Sequence, residues 1–113
     1  MRKILSVSQD ESLRRTRSAL LRQTGAEVQT ATAAEALRLL ALQNYDLVVL
    51  CHTLAAQQAS EIAAMAHQQA VGTRVLQLVS GLPSELTLAL VDDFARPEPA
   101  LLIAKAATLL GPC

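Results

Sequence analysis

Aromatic side chains are almost missing from this chain: Tyr45 and Phe94 are the whole set, and there is no tryptophan. Nothing is therefore available to stack beside the arginines, and with no recognition motif present nucleic acid is not an expected partner. No apolar run reaches the roughly 18 residues that a membrane span needs. The basic start, Met1-Arg2-Lys3, is followed by an apolar stretch far too short for a secretory signal, so a cytoplasmic protein is expected. Two cysteines, Cys51 and Cys113, do not make a disulfide framework. The two histidines, His52 and His67, have no suitably spaced partners, which argues against zinc; His67 is expected at the surface. With four glycines and no glycine-rich phosphate loop, a nucleotide fold of that type is not indicated. No cofactor or metal is expected.

What the chain does have is aliphatic bulk. Hydrophobic residues make up 51 % of its 113 positions, many of them alanines that favour closely packed helices. That length suits one domain, residues 1–113, able to bury roughly two-thirds of its unfolded surface. Net charge is zero, but Arg2, Lys3, Arg14, Arg15, Arg17 and Arg22 supply six of the ten positive charges near the N-terminus. They read either as a patch for an acidic partner or as the solvated face of a first helix, and the second reading is preferred.

Hydrophobic periodicity alternates between two types. Buried strands are expected at Lys3–Val7, Glu27–Ala31, Leu47–Leu50 and Arg74–Val79, with a weak fifth at Asp93–Ala95. A helix from about Glu11 to Thr24 has Leu13, Thr16, Leu20, Leu21 and Thr24 on one stripe, Asp10 as its cap and Gly25 as its stop. Thr32-Ala33-Ala34-Glu35 has capping-box spacing and opens a second helix running to about Gln43. A third helix covers about Gln58 to Gln69. A short one begins at Gly81-Leu82-Pro83-Ser84 and ends near Val91, and a last one starts at Glu98-Pro99 and stops at Gly111-Pro112. Strands alternating with helices, each strand apolar on both faces, predict an open α/β sandwich with a parallel sheet.

Several stretches in order resemble the receiver domain of response regulators. Lys3-Ile4-Leu5-Ser6-Val7 is similar to the family's K-I-L-I-V opening, and Leu20-Leu21 to Gly25-Ala26-Glu27-Val28 to its link from first helix to second strand. Thr30-Ala31, Glu35-Ala36-Leu37 and Leu39-Leu40 match the second helix, Asp46-Leu47-Val48-Val49-Leu50 the third strand, and Arg96-Pro97 the Lys-Pro whose bond is usually cis. The resemblance covers Lys3 to Leu110. It implies a flavodoxin-like (CheY-like) three-layer sandwich with five parallel strands in the order 2-1-3-4-5. Only 17 positions separate Val79 from Arg96, so the fourth helix and fifth strand are expected to be shortened.

The resemblance also locates the family's phosphorylation site, and there the sequence departs from it. The acidic pair aligns with Ser8 and Gln9, the acceptor aspartate with Cys51, the hydroxyl residue with Val79 and the lysine with Arg96. Carboxylates are needed there because Mg²⁺ takes hard oxygen ligands and bridges to the phosphoryl group. None remains; Asp10, one place on, is expected to cap its helix, and Ser80 sits one residue out of register. The expectation is a degenerate pseudo-receiver, not an enzyme, working by protein contacts in bacterial two-component phosphorelay signalling. Its partner would be a histidine kinase, another regulator or its own copy as a homodimer. Leu39, Leu42, Leu86, Leu88 and Leu90 are expected to leave an apolar patch for such contacts, while Phe94 is either the family's switch aromatic or core. A different class of function stays open: a crevice of Ser8, Gln9, Cys51 and Arg96 that binds an anion or small molecule, or senses redox state through a Cys51 thiolate favoured by Arg96. The alternative for Cys51 is plain space-filling. The chain is also consistent with the N-terminal module of a longer regulator.

Overall fold

A computed structural model describes residues 2–70, 72–82 and 88–111 of the chain. In chain order they form β1 (Lys3–Val7), α1 (Glu11–Arg22), β2 (Glu27–Ala31), α2 (Ala33–Leu42), β3 (Leu47–Leu50), α3 (Ala56–Gln69), β4 (Arg74–Leu78), β5 (Asp93–Ala95) and α4 (Pro99–Leu110). The strands make one parallel sheet in the order β2-β1-β3-β4-β5. Every strand agrees with its expected position to within a residue. β4 ends at Leu78 rather than Val79, although the Val79 N–H still donates to Ala95 O at 2.8 Å.

The alternation of side chains along each strand divides the core in two. Leu5, Val7, Val48, Leu50 and Val75 face α2 and α3, where Ala36, Leu40, Ala59, Ile62, Ala63 and Ala66 meet them. Ile4, Leu47, Val49, Leu76 and Leu78 face α1 and α4, against Leu21, Leu102 and Ala106. The buried residues of α3 are Ala59, Ile62, Ala63 and Ala66, three of them alanines, so the helix sits close to the sheet with little side chain between. Tyr45 is the one fully buried aromatic, and its hydroxyl donates to Gln29 Oε1 at 2.6 Å. Phe94 is half-buried and packs against the α2/α3 core.

Helix ends follow local chemistry. Asp10 Oδ1 accepts from the Leu13 N–H at 2.9 Å, and Thr32 and Glu35 form the expected reciprocal box. Gly25, at φ 87°, supplies the left-handed turn out of α1, which closes as a regular helix at Arg22, two residues earlier than expected. α3 starts at Ala56, two residues earlier than its pattern suggested, because Gln58 Oε1 accepts from the Ala55 N–H and extends the first turn. Glu98 precedes Pro99, which fills the first helical position of α4.

The short helix expected between Gly81 and Val91 falls mainly on residues 83–87, outside the described residues, as does Leu86; Leu88 alone of the span is described as helical. β5 has the expected three residues. No peptide bond among the described residues is cis, so Arg96–Pro97 is trans, unlike the bond the resemblance implied. The expected leucine patch is divided. Leu39 and Leu90 pack against the core, while Leu42 and Leu88 are exposed. His67 is half-buried rather than free at the surface: its Nε2 lies 2.8 Å from Leu90 O and clasps α3 to the segment before β5. Among the described residues no helix is long and apolar enough to cross a membrane.

Candidate functional site

Parallel sheets covered on both faces place the loops that leave their strands at one edge, and this edge carries the candidate site. Ser8 follows β1, Cys51 follows β3 and Val79 follows β4. The Cys51 N–H donates to Val7 O at 3.0 Å, which extends the β1–β3 ladder and fixes the cysteine beside Ser8. Cys51 is 1 % exposed and Ser8 is fully buried.

The group that meets the thiol is Arg17. Its Nη1 lies 2.6 Å from Cys51 Sγ, and its Nη2 lies 3.1 Å from His52 Nδ1. A guanidinium only donates, so His52 Nδ1 accepts and the imidazole proton sits on Nε2. Thr53 adds its N–H at 3.4 Å and its hydroxyl at 3.0 Å to the same sulfur. Burial is the largest single influence on Cys51 and pushes its pKa up. The Ser8 hydroxyl, the Thr53 hydroxyl and N–H, and the Arg17 guanidinium together outweigh it, so the thiol ionises below its ordinary range. For His52 both influences act downward, burial first and the Arg17 charge second, and the ring is held neutral.

Arg17 is only 5 % exposed. The preferred reading of the N-terminal arginines as a solvated helix face is therefore corrected at this position. Arg17 lies four residues after Leu13 and four before Leu21, on the inward stripe of α1. That spacing was the available signal: a charge on the buried face of an amphipathic helix needs a partner in the interior. Arg15 stays outward in an exposed pair with Glu11 at 2.7 Å, and Arg14 donates to Ser8 O at 2.8 Å.

The other expected positions divide. Gln9 is exposed, and its Oε1 accepts from the Ala33 N–H at 2.9 Å, capping α2 rather than entering the crevice. Asp10 caps α1. Arg96 is exposed and is not among the groups bonded to Cys51, so the expected Cys51–Arg96 pairing is replaced by Cys51–Arg17. Val79 is half-buried and, with His52, lines an open cleft of about 260 Å³ between the ends of β3 and β4. Among the described residues no three of His, Cys, Asp or Glu gather closely enough to hold a metal ion. Chemically, the arrangement stabilises an anionic sulfur with a protein cation.

No protein-family model and no curated protein sequence matches the chain. Solved structures do. A CheY-like receiver domain protein from Methanospirillum hungatei superposes with a TM-score of 0.83 at 23 % identity, over 97 % of this chain and 94 % of that one. The chemotaxis protein CheY4 of Vibrio cholerae gives 0.82 at 22 % identity, over 96 % and 98 %. A chain of the complex between the histidine kinase ThkA and the response regulator TrrA gives 0.81 at 24 % identity, over 98 % and 100 %. At these identities the likeness speaks for architecture. The chain has the CheY-like receiver fold.

Proposed function

We propose that the protein is a receiver-fold domain that does not accept a phosphoryl group and acts through protein contacts in two-component signalling. One observation carries this reading: the acceptor position holds a buried cysteine bonded to Arg17, with no carboxylate bonded to either among the described residues. Phosphoryl transfer needs a nucleophilic oxygen and a cation bridging to the phosphoryl oxygens. Here the cation beside the acceptor position is a protein guanidinium, and its donors are already taken by Cys51 Sγ and His52 Nδ1. The domain spans residues 1–113, works in the cytoplasm without a cofactor, and is not an enzyme. Its partner is a histidine kinase, another regulator or a second copy of itself; the likeness to a chain solved with the kinase ThkA supports the first. The test is to add the protein to autophosphorylated histidine kinases from its own source. Binding without loss of kinase phosphate is expected, and transfer of the phosphate to this chain would refute the reading.

A second reading, redox sensing by Cys51, draws on the donors around its sulfur. Exposure of 1 % opposes it, because a reactive cysteine must be reached as well as ionised. Reaction with a disulfide reagent in the folded protein distinguishes the two: slow modification, rate-limited by opening, fits the structural role, and fast modification fits sensing. The anion-binding variant has less support, since the one buried guanidinium in the crevice is occupied by Cys51 and His52.

A further inference from the structure

β2 lies at one edge of the sheet, with β1 as its single neighbour. The Glu27 N–H donates to Arg2 O at 2.8 Å, and Ala31 O accepts from the Ser8 N–H at 3.0 Å. Alternate residues of a strand serve one neighbour, so Glu27, Gln29 and Ala31 bond to β1, while Val28 and Thr30 turn their main-chain N–H and C=O groups to the free side. Thr30 is exposed and Val28 half-buried. An open edge of this kind is a template for another strand. Two clefts flank it. On the α1 side Arg14, Arg15 and Arg22 line an opening of about 460 Å³ together with one carboxylate, Glu11. On the α2 side Leu39 and Leu42 line one of about 350 Å³ with Glu35 and Arg38, whose opposite charges offset each other. Leu42 is 81 % exposed and leaves an uncovered apolar surface there.

We propose that β2 is a docking edge for an extended segment of a protein partner in which acidic and apolar residues alternate. Successive side chains of a strand point to opposite faces of the sheet. A segment hydrogen-bonded to Val28 and Thr30 therefore sends every second side chain toward α1 and the others toward α2. The α1 side selects acidic side chains, because three guanidiniums stand there with one carboxylate. Arg15 is held by Glu11 only in an exposed pair, which contributes little, and the Ser8 carbonyl that Arg14 meets does not cancel its charge. The α2 side has offset charges and bare leucine surface, so it selects apolar side chains. A second copy of the chain is a poor guest. Antiparallel pairing of β2 with β2 across a two-fold axis sets the two arginine clefts next to each other, and like charges so placed repel.

This surface deepens the contact function proposed above and rests on it for the class of partner, but its test uses neither kinase nor phosphate, so either fails without the other. The probes are a short peptide alternating glutamate with valine, its lysine–valine counterpart, and a peptide of the same glutamate and valine content with the two residue types in separate blocks. Titrated into ¹⁵N-labelled protein, the alternating glutamate peptide is expected to shift the Val28 and Thr30 amide resonances and to slow the exchange of those two amide protons with solvent. It should bind several-fold more tightly than either of the other peptides, and its affinity should fall as salt is added. Arg22 is exposed, and Arg22→Glu should weaken the alternating glutamate peptide several-fold while improving the lysine peptide. Binding without protection of the Val28 and Thr30 amides would mean attraction of anions to the arginines alone and would overturn the proposal. Equal affinity for the alternating and blocked peptides, or an affinity unchanged in Arg22→Glu, would overturn it as well.

Discussion

Replacing Cys51 by serine should destabilise the protein more than replacing Arg17 by methionine, although arginine is far the larger side chain. The asymmetry follows from which partner is able to discharge itself. Without the sulfur, Arg17 remains a guanidinium that is 5 % exposed and keeps the neutral His52 as its side-chain partner. Breaking a buried pair in that way costs about 3–5 kcal/mol. Without Arg17, the thiol takes up a proton and becomes neutral, so the loss is limited to hydrogen bonds and packing, about 1–3 kcal/mol. The pH dependence sharpens the test. The folded thiol ionises below its unfolded value of about 8.5, so the unfolded chain holds the extra proton between the two values. Stability should therefore rise with pH through that window, by at most about 1.4 kcal/mol per unit, be complete above about 8.5, and be lost as pH falls through the folded value. In Arg17→Met burial acts with less opposition, the folded pKa moves upward, and stability should instead fall as pH rises beyond about 8.5. Cys51→Ser should show neither trend. Urea unfolding at a series of pH values measures all three. A larger loss in Arg17→Met than in Cys51→Ser, or an unaltered protein whose stability is flat across the window, would refute the ion-pair account.

Thr32→Ala removes the acceptor for the Glu35 N–H and should cost about 1 kcal/mol in urea unfolding, without changing the response to pH above 6. Tyr45→Phe deletes a hydroxyl that donates to Gln29 at 2.6 Å from a buried ring, and a loss of about 0.5–1.5 kcal/mol is expected by the same method. His52 is neutral when folded and ionises below its ordinary value. Its stabilisation is thus present above about pH 6.5 and declines as pH falls below that, a dependence His52→Gln should weaken in a melting series.

Strand positions and helix caps were legible because they are written in local chemistry. An apolar run such as Leu47–Leu50 buries both faces wherever it lies in a parallel sheet, and Thr32 with Glu35 closes its box within four residues. Arg17 was harder. Five neighbouring basic residues suggested a solvated face, and the stripe Leu13–Arg17–Leu21 pointed the other way only when the charge was counted as inward. Its partner, 34 positions along the chain, is brought to it by the β1–β3 pairing and not by any local pattern. Arg96 misled for a related reason: the resemblance set it at the family's lysine, but in the structure it is exposed and Arg17, from α1, takes the place beside Cys51.

The central proposal is that this receiver fold does not accept a phosphoryl group, because Cys51, bonded to Arg17, stands where that chemistry needs a carboxylate. The most direct measurement is intact mass after incubation with acetyl phosphate and Mg²⁺ at neutral pH, followed by peptide mapping. The account predicts an unchanged mass and an unmodified Cys51. A stable phosphoryl adduct, on Cys51, Asp10 or any other residue of this edge of the sheet, would contradict it.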